Sequence, residues 1–494
     1  MSAEALFHVT EEHPEIRGWQ RALHQDRQAV EFQERPSAPV ALVVNQAPPW
    51  WESYVAGGNT LVVTAATRLP WESAPRTQAN GMRLGWRDDS IVAPGLRVCA
   101  SDLGGAGQVL VHEDRIPKAA GVVDAGPVVS RHTIGDGLLL MVWVPIGQLV
   151  CAEGDRLRRF APWSPVTERV AAVDKSQLVA LMTEILADAV TATGRPYARP
   201  AYFPDDAPSV LVVRVDVDGV FDTNTNRIDT AFHASDLPVS FFVNGQYCRA
   251  HPGRLDLDGS FHQIGQHGDV HDVFATVEEN ERNLINGRRW VSEQLGIEPE
   301  GFVAPRGLWN AQLEAALIAQ GYRYSSDFAL DFDGLPFRTP AGLLQLPVHP
   351  YSPERATVWA NEQGLPAPTS DDIVGHYEQF ARRQLRRGGP IHVYGHPERL
   401  GEVAEPLATC LSRLRREHRL PALTLSQWAD WWHAREQVTV HVAPERTIDD
   451  IVVELAGADG HALHVKAGRS CTVRHDGRQT HLTPADGWVT LAGS

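Results

Sequence analysis

The stretch VLVVRVDVDG, Val210 to Gly219, constrains this chain more than any other. Its valines and leucine make a continuous apolar run, the pattern of a strand buried on both faces of a parallel sheet. Side chains alternate across a strand, so Arg214, Asp216 and Asp218 share one face while Val215 and Val217 take the other. Removing two carboxylates and a guanidinium from water is costly unless they pair with one another or with a bound ion. The fold must therefore supply partners for these charges. The bland solution is a solvated edge strand with a structural Arg–Asp pair; the other is a site.

The surrounding pattern alternates. VSFFVNG reads as a second strand, and Thr276 to Leu295 as a helix opened by a capping box of Thr276 and Glu279. A further helix runs from Ala311, with Asn310 as N-cap, and stops at Gly321. Strands alternating with helices imply right-handed βα units and a largely parallel sheet or barrel. Upstream, a polar helical lead ends near QERPSAP, and apolar runs at VALVV, NTLVVTAA and GLLLMVWVPIGQLV suit buried strands. KSQLVALMTEILADAV then sets Leu178, Leu181, Met182, Ile185, Leu186 and Ala189 on one helical stripe, which predicts an α/β domain. The Pro-rich stretch Gly194 to Ser209 reads as a linker. From Gln437 onward, short β-rich segments separated by Gly and Asp predict a small all-β appendage. The expected domains are residues 1–200, 201–436 and 437–494, a reasonable division of 494 residues.

Charge and cysteine usage narrow the partners. With 45 Lys and Arg against 61 Asp and Glu the net charge is −16, which argues against nucleic acid. The N-terminus MSAEALFHVTEEHPEIRGW lacks a basic start followed by an apolar core, and no apolar run approaches the roughly 20 residues of a membrane span. Five scattered cysteines without a CxxC pair suggest neither a disulfide framework nor a cysteine–zinc site. These features together predict a cytoplasmic protein with no membrane span.

GQHGDVHD, Gly265 to Asp272, places His267 and His271 four positions apart. Alone, that spacing suits helical faces generally. Beside one aspartate of the Val210 strand, the two imidazoles make the N,N,O facial set of a catalytic zinc or similar divalent ion, with positions left open for water and substrate.

Beyond these residues, the order Asp-x-Asp-Gly, HxxxH, GFVAPRGLWN, GYRYSSDFALDFDGLPF with LLQLPVHP, then GGPIHVYGHPERL resembles the polysaccharide deacetylase family, the NodB-homology or carbohydrate esterase family 4 fold, over Val210 to Leu400. The DVDG form looks more like its cytosolic branch than the secreted TFDDG branch. The resemblance implies an α/β fold, a distorted (β/α) barrel of NodB type in the middle of the chain. Ahead of it, GGNTLVVTAA and GDGLLLMVWVPIGQ are faintly similar to degenerate glutamine-amidotransferase-like domains, without a nucleophile-elbow cysteine.

The family's roles carry over by position. Asp216 is implied as general base, Asp218, His267 and His271 as ligands of a divalent metal, with Zn2+ first and Co2+ or Ni2+ as alternatives. His396, rather than His392, is implied as general acid. The third motif's Arg position is Val303 here, although Pro305 and Gly307 match. Arg214 or Arg306 is expected to substitute, because an opposite charge keeps a carboxylate ionised; Arg214→Ala and Arg306→Ala should each depress turnover with metal retained. The loop after Pro305 is expected to offer a backbone N–H to the developing oxyanion. The aspartate that positions the acid is one of Asp327, Asp331 and Asp333, with Asp331 preferred. The implied activity is removal of an N-acetyl group from an amino sugar or amino-sugar-containing small molecule. A hydrolase or deformylase acting on a small amide, and a catalytically silent sugar-binding module, are the other readings.

Overall fold

The structure, a computed structural model, describes residues 7–9, 13–32, 36, 38–72, 78–86, 89–99, 128–159, 167–219, 222–250, 257, 259–444, 450–456, 461–475 and 478–492. Contacts gather the chain into two compact units, one of Met1–Glu153, Ala172–Ala201 and Ala434–Ser494, the other of Gly154–Ala171 and Tyr202–His433. Composition separates three successive segments; contacts place the first and last together and pass a short piece of the first to the middle.

The second unit is mixed α/β. Its strands are β1 (Leu211–Val217), β2 (Ser240–Val243), β3 (Gln263–Gln266), β4 (Gly301–Phe302), β5 (Tyr324–Ser325), β6 (Phe337–Arg338), β7 (Leu344–Gln345), β8 (Ile391–Gly395) and β9 (Ala422–Leu423). They form a curled, open half-barrel in the order β6-β7-β5-β4-β3-β2-β1-β8, with β9 also on β1. Every pairing is parallel except β6 with β7.

Strand β1 divides its faces as its alternation requires. Leu211, Val213, Val215 and Val217 pack outward among Ile228, Phe232, Phe241 and Leu407, while Val210 and Val212 join Phe242, Val303 and Tyr324 on the inside. Burying the four outward side chains contributes roughly 6–12 kcal/mol, enough to tolerate a charged pair on the inward face.

Helix α1 (Val277–Leu295) begins where Thr276 Oγ1 accepts from Glu279 N at 3.2 Å. The Thr276 hydroxyl donates in turn to Glu279 Oε2 at 2.8 Å, so the reciprocal bond runs between side chains and not to the Thr276 backbone. Gly296, at φ 67°, ends it in the left-handed conformation that glycine adopts at least cost. Helix α2 (Ala311–Ala319) is capped by Asn310 Oδ1 on Leu313 N at 2.7 Å.

The piece contributed from the N-terminal side is a hairpin. Asp155–Arg159 pairs antiparallel with Thr167–Ala171. Val170 and Ala171 are buried among Phe328, Phe332, Val348 and Tyr394, and Ala171 N donates to Phe328 O at 3.1 Å.

In the first unit, six strands run Val30–Phe32, Phe7–Val9, Val40–Val44, Thr60–Thr64, Gly137–Val142 and Val129–Ile134 across one sheet, parallel except for the last pair. Helix Lys175–Ala192 buries the predicted stripe, and Val179, Thr183, Ala187 and Val190 besides. The stretch read as a linker is ordered: Tyr197–Pro200 is an edge strand, antiparallel to Leu463–Lys466. An edge tolerates the prolines that argue against a central strand. The terminal segment is β-rich, with the strands Thr439–Pro444, Asp450–Ala456, Cys471–His475 and Arg478–Leu482 in one sheet. Cys99 lies in a strand whose side chains are outside the described set; among the described residues Cys151, Cys410 and Cys471 form no disulfide. Among the described residues no helix is long and apolar enough to cross a membrane.

Candidate metal and catalytic site

Parallel pairing puts the C-terminal ends of strands on one rim, the usual place for a site in α/β sheets. Five of the strands deliver polar or site-bearing residues just past their ends: Asp218 after β1, His267 after β3, Val303 after β4, Asp327 after β5 and His396 after β8.

The HxxxH pair is not helical. His267 directly follows β3, and Gly268, at φ 78°, reverses the chain; a Cβ there would meet Val270 O at 2.8 Å and Asn283 Nδ2 at 2.9 Å. Asn283, reaching up from α1, holds the turn. Its Oδ1 accepts from Asp269 N at 2.9 Å and Val270 N at 2.7 Å, and its Nδ2 donates to the carbonyls of Val270 and Asp272, both at 3.2 Å. The turn brings His271 Nε2 to 3.1 Å from His267 Nε2. The neighbouring aspartates are engaged elsewhere, Asp269 with Arg249 and Asp272 Oδ1 with Val273 N. Because the clamp orients a ligand without touching the ion, Asn283→Ala should weaken divalent-metal affinity by about 10–100-fold, read by competition with a chromophoric chelator.

Asp218 closes the set. His267 Nε2 stands 3.0 Å from Asp218 Oδ1 and His271 Nε2 3.3 Å from Oδ2. His267 Nδ1 is 2.9 Å from Val303 O; a carbonyl only accepts, so Nδ1 carries the proton and, in a neutral ring, Nε2 keeps the lone pair. That lone pair then faces a carboxylate and a second imidazole. Asp218 Oδ1 is buried and, among the described residues, accepts no hydrogen bond. Burial works against charge on His267, but Asp218 and Asp216 raise its pKa, so a proton shared with Asp218 is what a cation would displace; the converging N, N and O donors fit a divalent cation. Burial alone would raise the Asp218 pKa, but His267, His271 and His396 hold it far below the carboxylate range.

Beside this set, Arg214 and Asp216 are each 2 % exposed. Arg214 Nε donates to Asp216 Oδ1 at 2.8 Å and a terminal nitrogen donates to Oδ2 at 2.5 Å, a fork onto both oxygens; the other terminal nitrogen donates to Ser326 O. The guanidinium lies 4.9 Å from the Tyr394 ring centroid. Val303 is fully buried and contributes its carbonyl to His267. Arg306 stands apart, with its side chain exposed at φ 59°; among the described residues no hydrogen bond or ion pair joins it to Asp216. Of the two arginines, the structure therefore brings Arg214 to the aspartate.

The three aspartates of SSDFALDFDG separate as well. Asp327 accepts from Ala304 N at 2.9 Å and from the Ser325 hydroxyl, and its charge interacts with Arg214. Asp331 is buried with Oδ1 on Phe332 N at 2.8 Å, and Asp333 faces His349 Nδ1 at 2.7 Å. Asp327, not Asp331, belongs to the charged group around Arg214.

His396 lies between two carboxylates. Its Nε2 is 3.4 Å from Asp218 Oδ2 and its Nδ1 3.4 Å from Glu354 Oε2. Glu354 opens helix α3 (Pro353–Glu362) and is itself fixed, accepting from Leu400 N at 2.9 Å, Arg399 N at 3.3 Å and Ser352 Oγ at 3.0 Å. Burial works against charge on His396, yet Tyr394, Asp218 and Glu354 outweigh it and hold the imidazole well above its usual pKa. His392 is buried with Nδ1 against Pro347 O, and burial lowers its pKa to about 4. Sequence reasoning missed Glu354. The available signal was SPER, a helix start placing an acid at its second position, but nothing local ties it to a histidine 42 positions on.

The chain matches the Polysaccharide deacetylase family model over residues 205–325. No curated protein matches it. Among solved structures, a Mycobacterium smegmatis protein described as a polysaccharide deacetylase aligns at 19% identity over 50% of this chain and 97% of its own, with a TM-score of 0.42. An allantoinase aligns at 14% identity over 48% and 93%, TM-score 0.39, and a carbohydrate esterase family 4 pseudoenzyme from Bacillus anthracis at 12% over 45% and 66%, TM-score 0.32. The segment that supplies Asp216, Asp218, His267 and His271 is thus the part of this chain that matches the polysaccharide deacetylase family.

Proposed function

We propose that the second unit is a metal-dependent N-deacetylase that hydrolyses the acetamide of an amino sugar or amino-sugar-containing small molecule. The carrying observation is the convergence, on one rim, of a three-donor cation set, an Arg-paired aspartate and a carboxylate-held histidine. A divalent cation held by Asp218, His267 and His271, zinc first among candidates, supplies a Lewis acid and makes water acidic at neutral pH.

The chain's own groups account for the proton traffic. Asp216 accepts the proton of the attacking water, with Arg214 fixing the orientation of its carboxylate. His396, kept protonated by its carboxylate neighbours, delivers a proton to the departing nitrogen, without which an amine is a very poor leaving group. Glu354 fixes the ring through Nδ1, leaving Nε2 toward the site. Beyond Pro305 the N–H groups of Gly307 and Leu308 donate to Ala304 O at 3.2 Å and Pro305 O at 3.1 Å, so the Arg306 N–H is the donor this turn can offer to charge on the carbonyl oxygen. The first unit, with its mostly parallel sheet, is taken as an amidotransferase-like scaffold with a positioning role.

The test is acetate release from N-acetylated amino sugars by metal-loaded full-length protein. His396→Ala should keep stoichiometric metal and lose about 10²–10⁴-fold in kcat. Full turnover in that variant, or formate rather than acetate as the acid released, defeats the reading.

A further inference from the structure

The hairpin Asp155–Ala171 lies outside the residues that match the family, yet it packs into the catalytic unit through Val170 and Ala171. Two positions before that apolar anchor is Glu168, 8% exposed. Among the described residues its one ion-pair contact is Arg355 Nε at 3.3 Å, and no hydrogen-bond donor is directed at it. Arg355 follows Glu354, the carboxylate holding His396, and the charges of His396 and Glu354 both act on Glu168. Burial pushes the Glu168 pKa up to about 8, against the opposing pull of Arg355 and His396.

A carboxylate whose one ion-pair partner among the described residues is the exposed Arg355 keeps acceptor capacity for a ligand. The mechanism above gives it no role: among the described residues no hydrogen bond or ion pair joins Glu168 to the cation donors or to Asp216. It sits on the His396 side, where the departing nitrogen and the sugar bearing it must lie if the acetyl group faces Asp218. We propose that Glu168 is a substrate-positioning residue that hydrogen-bonds a sugar hydroxyl beside the scissile amide. This rests on the deacetylase reading. The hairpin then selects for amino sugars over simple N-acetyl amines, a selectivity determinant added to the half-barrel from the N-terminal side of the chain.

The test compares full-length, metal-loaded wild type, Glu168→Ala and Glu168→Gln on N,N′-diacetylchitobiose and on N-acetylbutylamine, which has no hydroxyls. Glu168→Ala should raise KM for the sugar roughly tenfold, with kcat within about twofold and KM for the alkylamine unchanged; Glu168→Gln, which can still hydrogen-bond, should restore most of the sugar KM. Equal KM changes on both substrates, or a lowered melting temperature with unchanged KM, would mean a structural role and overturn the proposal. If wild type hydrolyses neither compound, the deacetylase reading has failed, and calorimetric binding of diacetylchitobiose decides separately: weaker binding by Glu168→Ala supports the contact, whereas equal binding or none overturns it.

Discussion

Asp218→Asn and His267→Ala are each expected to lose bound divalent metal and, with it, at least about 10³-fold of turnover, to be checked by metal analysis of purified protein alongside acetate release. The magnitude follows from several kcal/mol of charge stabilisation, each 1.36 kcal/mol being tenfold in rate. His267 should matter more than His271. Its Nδ1 is anchored on Val303 O and its side chain is 2% exposed, whereas the His271 side chain is 29% exposed at the end of a turn. A ring that already points its lone pair at the site loses little freedom when it binds an ion. His271→Ala is accordingly expected to retain partial metal at raised metal concentration. Stoichiometric metal and full activity in Asp218→Asn would remove the foundation of the site.

Arg214→Met should destabilise the fold by about 3–5 kcal/mol, because it strands the Asp216 carboxylate inside the half-barrel. The cost comes from the partner left behind. The double variant Arg214→Met/Asp216→Asn should therefore recover most of the loss, as replacing both members of a buried pair is close to neutral. Urea midpoints at neutral pH give both quantities, and turnover should fall in both variants. A single-variant cost under about 1 kcal/mol would show that water reaches Asp216 and that the pair is not buried as described. Arg306→Ala is the contrast: with its side chain exposed and no bond to Asp216 among the described residues, the earlier expectation of depressed turnover no longer has a geometric basis.

Several features were legible because they are written over a few neighbouring residues. Helix starts at Thr276 and Asn310 follow from a side chain meeting an amide three positions on. Strand β1 follows from its continuous apolar run, and the alternation of side chains along a strand shows that Arg214 and Asp216 must share a face. The linker reading failed for a related reason: prolines forbid a central strand, and local sequence does not reveal that Tyr197–Pro200 has an edge to pair with.

By itself, then, the sequence determined the parallel α/β character of the middle of the chain and named Asp218, His267 and His271 as candidate donors, which the structure brings within 4.8 Å of one another. Only the tertiary structure decided that Arg214 and not Arg306 meets Asp216, that Asp327 and not Asp331 joins that group, and that Glu354 meets His396. Arg214 reaches Ser326 across 112 positions and Glu354 meets His396 across 42. Contacts over such distances are set by sheet register and by where a hairpin packs, and a change of one residue in backbone direction would choose a different carboxylate from the same sequence.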